Sequence, residues 1–224
     1  MLNPEDSKFL SSAFDFWPML STQEQDLLSQ NAAAILHDQG ENIHSGSNDC
    51  VGVILVKSGV LRSYILSAEG KEITLYRLYP GDICVLAASC LIKNITFDVH
   101  IDAEVASEIL LINSATYNQL VQKNIYMENF TLRLVIDRFS DVMWAMEQIL
   151  FMSFDQRLAV FLLDEASKNG SLEILLTHEQ VAKYMGSARE VVSRMLKYFV
   201  AEGSVSLSRG AITILDKKKL QSLL

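Results

Sequence analysis

Cysteine and proline are scarce in this chain, at three each among 224 residues. Three cysteines with no Cys-x-x-Cys pair cannot frame a disulfide-stapled domain, and such sparse usage fits a reducing compartment. No apolar run of about 18 residues is free of charge, so no membrane-spanning helix and no membrane partner are expected. The first eight residues carry Glu5 and Asp6 and no basic segment ahead of an apolar stretch. They do not read as a secretory signal, and a cytoplasmic location is expected. Histidine is scarce too. His37, His44, His100 and His178 show no His-x-His or His-Glu-x-x-His spacing, and no nucleophile elbow or Walker loop occurs. These absences argue against a metal-dependent barrel enzyme with an appended binding domain, and no enzyme is expected. A net basic balance is also missing, since the formal charge is −8. The charge is unevenly spread, however. Up to residue 150 there are 9 basic against 19 acidic side chains, and beyond it 10 against 8. That asymmetry suggests two modules with different partners.

What is present is apolar material, at 50% of residues. The length suits one large domain or two ordinary ones. Residues 1–30 read as short helices, broken at Asp15-Phe16-Trp17-Pro18 and resumed from Ser21 to Gln30. From about 33 to 112 short apolar runs alternate with glycine. Val51–Val56, Val60–Leu66, Ile73–Leu78 and Glu108–Ile112 are strand-like. Gly59, Gly70 and Gly81 recur every eleven residues, each at a turn, and residues 67–72 (SAEGKE) read as a hairpin. Regular strands with turn signals predict a small antiparallel barrel or roll.

Neither proline nor glycine occurs between Ser114 and Phe151. Ile125, Phe130, Leu134, Met143, Met146 and Leu150 recur at helical spacings. A helix of about 25 residues would span roughly 38 Å, more than a small roll needs for cover. Its surplus apolar length predicts a homodimer. Short elements return beyond 153: a helix from Asp155 to Lys168 stopped by Asn169-Gly170, a strand-like run Leu172–Leu176, two helices, and two short strands joined through Arg209-Gly210.

The two helices carry the most specific signal, the run THEQVAKYMGSAREVVSRMLKYFVAEG over residues 177–203. Thr177 and Gln180 fit a capping box. A first helix, His178 to Met185, would face inward with Val181, Ala182 and Met185. Gly186 makes the turn. A second helix, from about Ala188 to Ala201, would bury Val192, Met195, Leu196 and Phe199. This is the spacing of a helix-turn-helix. Near the start of the second helix Arg189, Glu190, Ser193 and Arg194 share the outer side. Arg pairs bidentately with guanine, Glu accepts from cytosine and Ser does either, so these four are the expected base readers. Ser187 with Glu190 could form a second capping box, and Glu190 with Arg194 an i,i+4 ion pair. Thr177, Lys183, Ser187, Lys197 and Arg209 are candidate contacts to the DNA backbone.

Glycine-punctuated strands, a long connecting helix, the run GSAREVVSRML and a following hairpin together resemble the CRP/FNR family of bacterial transcription regulators over about residues 30–224. The resemblance implies an α+β chain: N-terminal helices and an antiparallel β-roll of cyclic-nucleotide-binding-like form over 1–113, a long dimerisation helix over 114–152, and a C-terminal winged helix-turn-helix over 153–224. Arg189, Glu190 and Arg194 match the base-reading positions of the cyclic-AMP receptor branch. Glu190, Ser193 and Arg194 match those of the oxygen-sensor branch. The family's dimers read inverted repeats in double-stranded DNA and work with RNA polymerase. The expectation here is a dimeric regulator gated by a signal in the roll, with half-sites roughly 34 Å apart.

The segment PGDICVLAASC, residues 80–90, is where the signal would act. In the cyclic-nucleotide branch a Gly-Glu and then an Arg hold ribose and phosphate. Here Gly81-Asp82 keeps the turn, but VLAAS at 85–89 replaces the Gly-Glu segment. Thr96-Phe97-Asp98 stands near the arginine position, and Lys93 is the only nearby cation. A phosphate needs positive charge or clustered amides, so cyclic AMP is not expected and no cofactor is called for. Cys84 and Cys90 resemble a pair seen in some family members and are candidates for thiol-redox gating. Three cysteines fall short of an all-cysteine iron–sulfur cluster. Haem would need an axial ligand such as His100 or Cys84. Buried, inert cysteines are the alternative. A small apolar or acidic effector walled by Phe97, Met143 and Trp144 is a further option. So is a constitutive DNA binder whose roll is a mere dimer scaffold.

Overall fold

The strand-like run that begins at Val51 is apolar at every position to Val56 apart from Gly52, which a strand with one wet face would not tolerate. The computed structural model, which describes residues 2–46, 51–87 and 98–224, gives the reason. Strand β3 (Val53–Ser58) has both faces covered. Val53 and Leu55 pack against helices, while Ile54 and Val56 point into the roll, and all four are fully buried.

The chain divides into two compact units. Residues up to 66 together with 75–142 form one; residues 67–74 together with 143–224 form the other. In the first, helix α1 (Pro4–Ala13), a 3-10 turn (Trp17–Met19) and α2 (Thr22–Gln30) precede the strands. Then come β1 (Ala32–His37), β2 (Asn42–Ser45), β3, β4 (Leu61–Leu66), β5 (Glu72–Leu78), β6 (Ile83–Cys84), β7 (His100–Ala103) and β8 (Ser107–Ile112). Among the described residues they form two four-stranded sheets, ordered β1-β8-β3-β6 and β2-β7-β4-β5. Register is antiparallel, as in Ala32 opposite Ile112 and Tyr64 opposite His100. Ile54, Leu61, Leu78, Ile101 and Ile109 fill the space between the sheets. Leu10, Phe14, Leu28, Leu110 and Tyr117 make a second core where helices cover the outer face of the first sheet.

Two polar details fix this arrangement. The Lys57 ammonium lies 2.7 Å from the buried Asp6 carboxylate and 3.0 Å from Glu108, tying α1 to β3 and β8. Those hydrogen bonds raise the Lys57 pKa well above its usual value. Gly59 turns the chain from β3 into β4 at φ 84°, and a Cβ there would lie 2.6 Å from the Ala106 carbonyl oxygen. Only glycine fits that backbone and that approach.

The glycine-free stretch from 114 is two helices rather than one: α3 (Ser114–Val121) and α4 (Ile125–Phe151). Asn124 makes the break. Its side-chain oxygen accepts from the Tyr126 and Met127 amides and starts a new helix. The 27 residues of α4 include Phe130 and Leu134, which pack on the first core.

In the second unit α5 (Phe154–Asn169) starts at a Ser153–Gln156 capping box and stops at Gly170 in the left-handed conformation. Strands β9 (Glu173–Ile174), β10 (Val205–Ser208) and β11 (Ala211–Ile214) form an antiparallel sheet ordered β10-β11-β9. Helices α6 (His178–Met185), α7 (Arg189–Ala201) and α8 (Lys217–Gln221) complete it. Helix α8 was not anticipated; Asp216, which caps the Lys218 and Lys219 amides, is its signature. Leu158, Leu162, Val181, Val192, Leu196, Phe199 and Ile212 form the core.

Candidate nucleic-acid interface

The second unit's surface function depends on how α6 and α7 are held. Thr177 caps α6: its hydroxyl accepts from the Gln180 amide at 3.2 Å, and the Gln180 side chain accepts from the Thr177 amide at 2.8 Å. Gly186 ends the helix at φ 58°. The Ser187 amide reaches back to the Ala182 carbonyl at 3.0 Å, which closes the last turn. Val181 and Ala182 are buried against Val192, Leu196 and Phe199, with Met185 and Met195 partly buried around them. Packing these inner faces turns the other side of α7 outward.

On that outward side Arg189, Glu190 and Arg194 are exposed and Ser193 is half-buried. One expectation about them needs correction. Helix α7 is capped by Ala188, not Ser187, with no side-chain cap bond, so the second capping box does not form. Nor, among the described residues, does an ion pair join Glu190 to Arg194. Both side chains project into solvent, where a surface pair would gain little and cost side-chain entropy. Among the described residues the candidate readers are thus uncommitted.

Of the candidate backbone contacts, Thr177, Lys183, Lys197 and Arg209 are exposed and Ser187 is half-buried. Lys183 lies 3.8 Å from Glu72, a residue of the same compact unit, so a phosphate there would compete with a carboxylate. Arg209 and Gly210 form the β10–β11 turn. Between the start of α6, the start of α7 and this turn lies an open concavity of about 280 Å³, with Thr177, Arg189, Ser208 and Gly210 in its walls. His178 and Glu179 line it as well. Sequence reading gave neither a role, although His178 follows the N-cap directly.

The candidate effector residues Cys84 and His100 belong to the first unit. Cys84 is fully enclosed, its Sγ 3.9 Å from the Tyr76 hydroxyl. Burial pushes the thiol pKa up, and does the same to the Tyr76 phenol. Cys90, Lys93 and the Thr96-Phe97 pair lie outside the described residues. Asp82 is spent on the turn, accepting from the Tyr79 amide at 2.8 Å, and Val85, Leu86 and Ala87 are buried core. His100 stacks on Tyr64 with ring centroids 5.3 Å apart. Among the described residues no group of three His, Cys, Asp or Glu side chains could hold a metal. A residue that sequence reading gave no role is Arg138, whose guanidinium also pairs with Asp141 at 2.8 Å. From α4 it lays its guanidinium 4.8 Å from the Tyr76 ring centroid, and its Nε is buried without a hydrogen-bond partner among the described residues. Met143 and Trp144, expected as an apolar wall, are exposed in the single chain at 41% and 53%.

A helix pair with this turn, followed by a two-stranded wing, defines a winged helix-turn-helix protein of the DNA-binding class. A family model describing the Crp-like helix-turn-helix domain matches residues 156–223. The chain is 48% identical to a transcriptional regulator of the CRP/FNR family from Eubacterium rectale whose crystal structure is known. That likeness covers 95% of this chain and 98% of the other, with a TM-score of 0.90. The electron transport regulator A of Shewanella oneidensis is 24% identical over 83% of this chain and 76% of its own length. The cyclic AMP receptor protein of Thermus thermophilus is 24% identical over 91% and 94%. The chain belongs to the CRP/FNR family, and it is a DNA-binding transcription regulator.

Proposed function

We propose that this regulator works as a homodimer that reads inverted-repeat DNA through Arg189, Glu190, Ser193 and Arg194 of α7, under control of a signal received in the roll. The observation that carries the reading is the exposed α7 face, charged, without a hydrogen bond or ion pair among the described residues and bordered by a wing. Thr177, Ser187, Lys197 and Arg209 then hold the backbone on either side. RNA polymerase is the further partner implied by the family. The dimer is supported by α4. Leu132, Ile136, Phe139, Met143, Met146 and Leu150 recur at alternating steps of four and three, and each is at least 41% exposed. A seam of that period matches a partner helix wound in a left-handed coiled coil.

The roll supports a small-molecule signal better than a thiol one. A buried, protonated thiol is a poor nucleophile, and Cys84 is such a thiol. Arg138, already paired with Asp141 through one nitrogen, instead keeps its Nε buried beside Tyr76 without a partner among the described residues, and such groups call for an acceptor. The test is selection of duplexes from a random pool by the full chain, followed by affinity measurements on the recovered sequence. Arg189→Ala and Arg194→Ala should each lose about 1–3 kcal/mol and relax base preference at one position of each half-site. Full retention of specificity in both variants would remove this reading.

A further inference from the structure

His178 is the one titratable side chain in the walls of the α6–wing concavity whose charge changes near neutral pH. It is half-buried, and no hydrogen bond engages its imidazole among the described residues. The charges around the concavity come from α6, α7 and the wing turn. Helix α6 brings Glu179 beside it. Helix α7 brings Arg189 into the wall, and Lys197 acts on the imidazole from the same helix. The wing brings Ser208, Gly210 and Ala211, which do not titrate, with Arg209 exposed in the turn between them. The segment before α6 brings Leu176, which is apolar. Burial first, then the charges of Arg189 and Lys197, hold the histidine below its usual pKa. Free protein near neutral pH therefore carries a neutral imidazole in a hollow edged by cations, with Glu179 as the opposing charge.

A phosphodiester entering that hollow reverses the balance. It neutralises the field of Arg189 and Lys197 and offers anionic oxygens to any donor in reach. We propose that His178 is a proton-coupled DNA contact: a backbone phosphate seats in the concavity, the imidazole takes up a proton from solvent and, held as imidazolium, donates an N–H hydrogen bond to a phosphate oxygen, and duplex binding tightens as the pH falls. This rests on the DNA-binding reading above. The direction follows from linkage. The imidazole pKa is higher in the complex than in the free chain, so between the two values binding takes up a proton and affinity falls as pH rises. A rise of one pKa unit corresponds to about tenfold in affinity for each seated phosphate.

The experiment uses the full chain and a duplex of about 40 base pairs recovered by selection with that chain, long enough for two half-sites. Affinity is measured by fluorescence anisotropy at constant ionic strength from about pH 6 to about pH 8, across the histidine range. The wild type should bind several-fold tighter at the acid end. His178→Gln keeps a polar side chain that cannot titrate; it should bind like the wild type at the alkaline end and show a flatter profile. The His178 imidazole, followed by NMR, should rise in pKa when the duplex is added. Parallel profiles for the two proteins, or an imidazole pKa that stays or falls in the complex, would overturn the inference. Failure of both proteins to bind any duplex at any pH would instead sink the DNA-binding reading, and this inference with it.

Discussion

The roll and the winged helix-turn-helix handle polar side chains in opposite ways. In the C-terminal unit Arg189, Glu190, Arg194 and Lys197 stand in solvent with no hydrogen bond or ion pair among the described residues, while a largely apolar core lies beneath. In the roll Tyr76 and Cys84 are enclosed, and Asp6, Lys57 and Glu108 are locked together. A surface meant for DNA must keep its charges available, because phosphates and base edges arrive from outside. A region that reports a signal needs few arrangements that differ sharply, and buried polar groups supply them at high cost if left unpaired. Under the proposed reading, function is displayed in one region and enclosed in the other.

That contrast can be broken at several points, in falling order of effect. Leu196→Ala, under the α7 face, should destabilise the C-terminal unit by about 2–5 kcal/mol through the cavity it leaves. Thermal unfolding followed by a roll probe such as Tyr76 fluorescence and by DNA binding should show binding lost first. Simultaneous loss would mean that the two units unfold as one. Gly59→Ala should cost about 3 kcal/mol in the roll, from positive-φ strain and the approach to Ala106. Its DNA-binding unit should retain the α6–α7 fold by amide chemical shifts. Phe139→Glu, in the middle of the α4 seam, should turn a dimer into a monomer by sedimentation and weaken binding to a two-half-site duplex far more than to a single half-site. An unchanged mass would place the dimer contact elsewhere. Thr177→Ala should cost only about 1 kcal/mol of stability, the value of one cap, measured by denaturant midpoint.

The two regions also differed in how far the sequence revealed them. Helix α6 could be bounded residue by residue because its start and stop are local: Thr177 with Gln180 at one end, Gly186 at the other. The same holds for α5, ended by Gly170. The roll was legible as a class, but β1, β2, β6 and β7 were not assigned. β6 is two residues long and β2 carries a register shift. Such strands exist because neighbours pair with them, not because of their own pattern. The α4 seam was half-read. Phe130 and Leu134 follow the same periodicity as the seam residues yet face the chain's own core. Periodicity locates apolar faces without saying which is covered.

Sequence alone determined the helix-turn-helix, the inner faces of its two helices and its place after the roll, since caps, turns and inner-face spacing act over three or four residues. Only the structure decided that no Ser187–Glu190 capping box forms at the start of α7, that Cys84 is sealed, that Arg138 reaches Tyr76, and that His178 and Arg189 share one hollow with the wing. These depend on side chains brought together from distant positions. Burial, field and free donors belong to that three-dimensional neighbourhood, which no local pattern encodes.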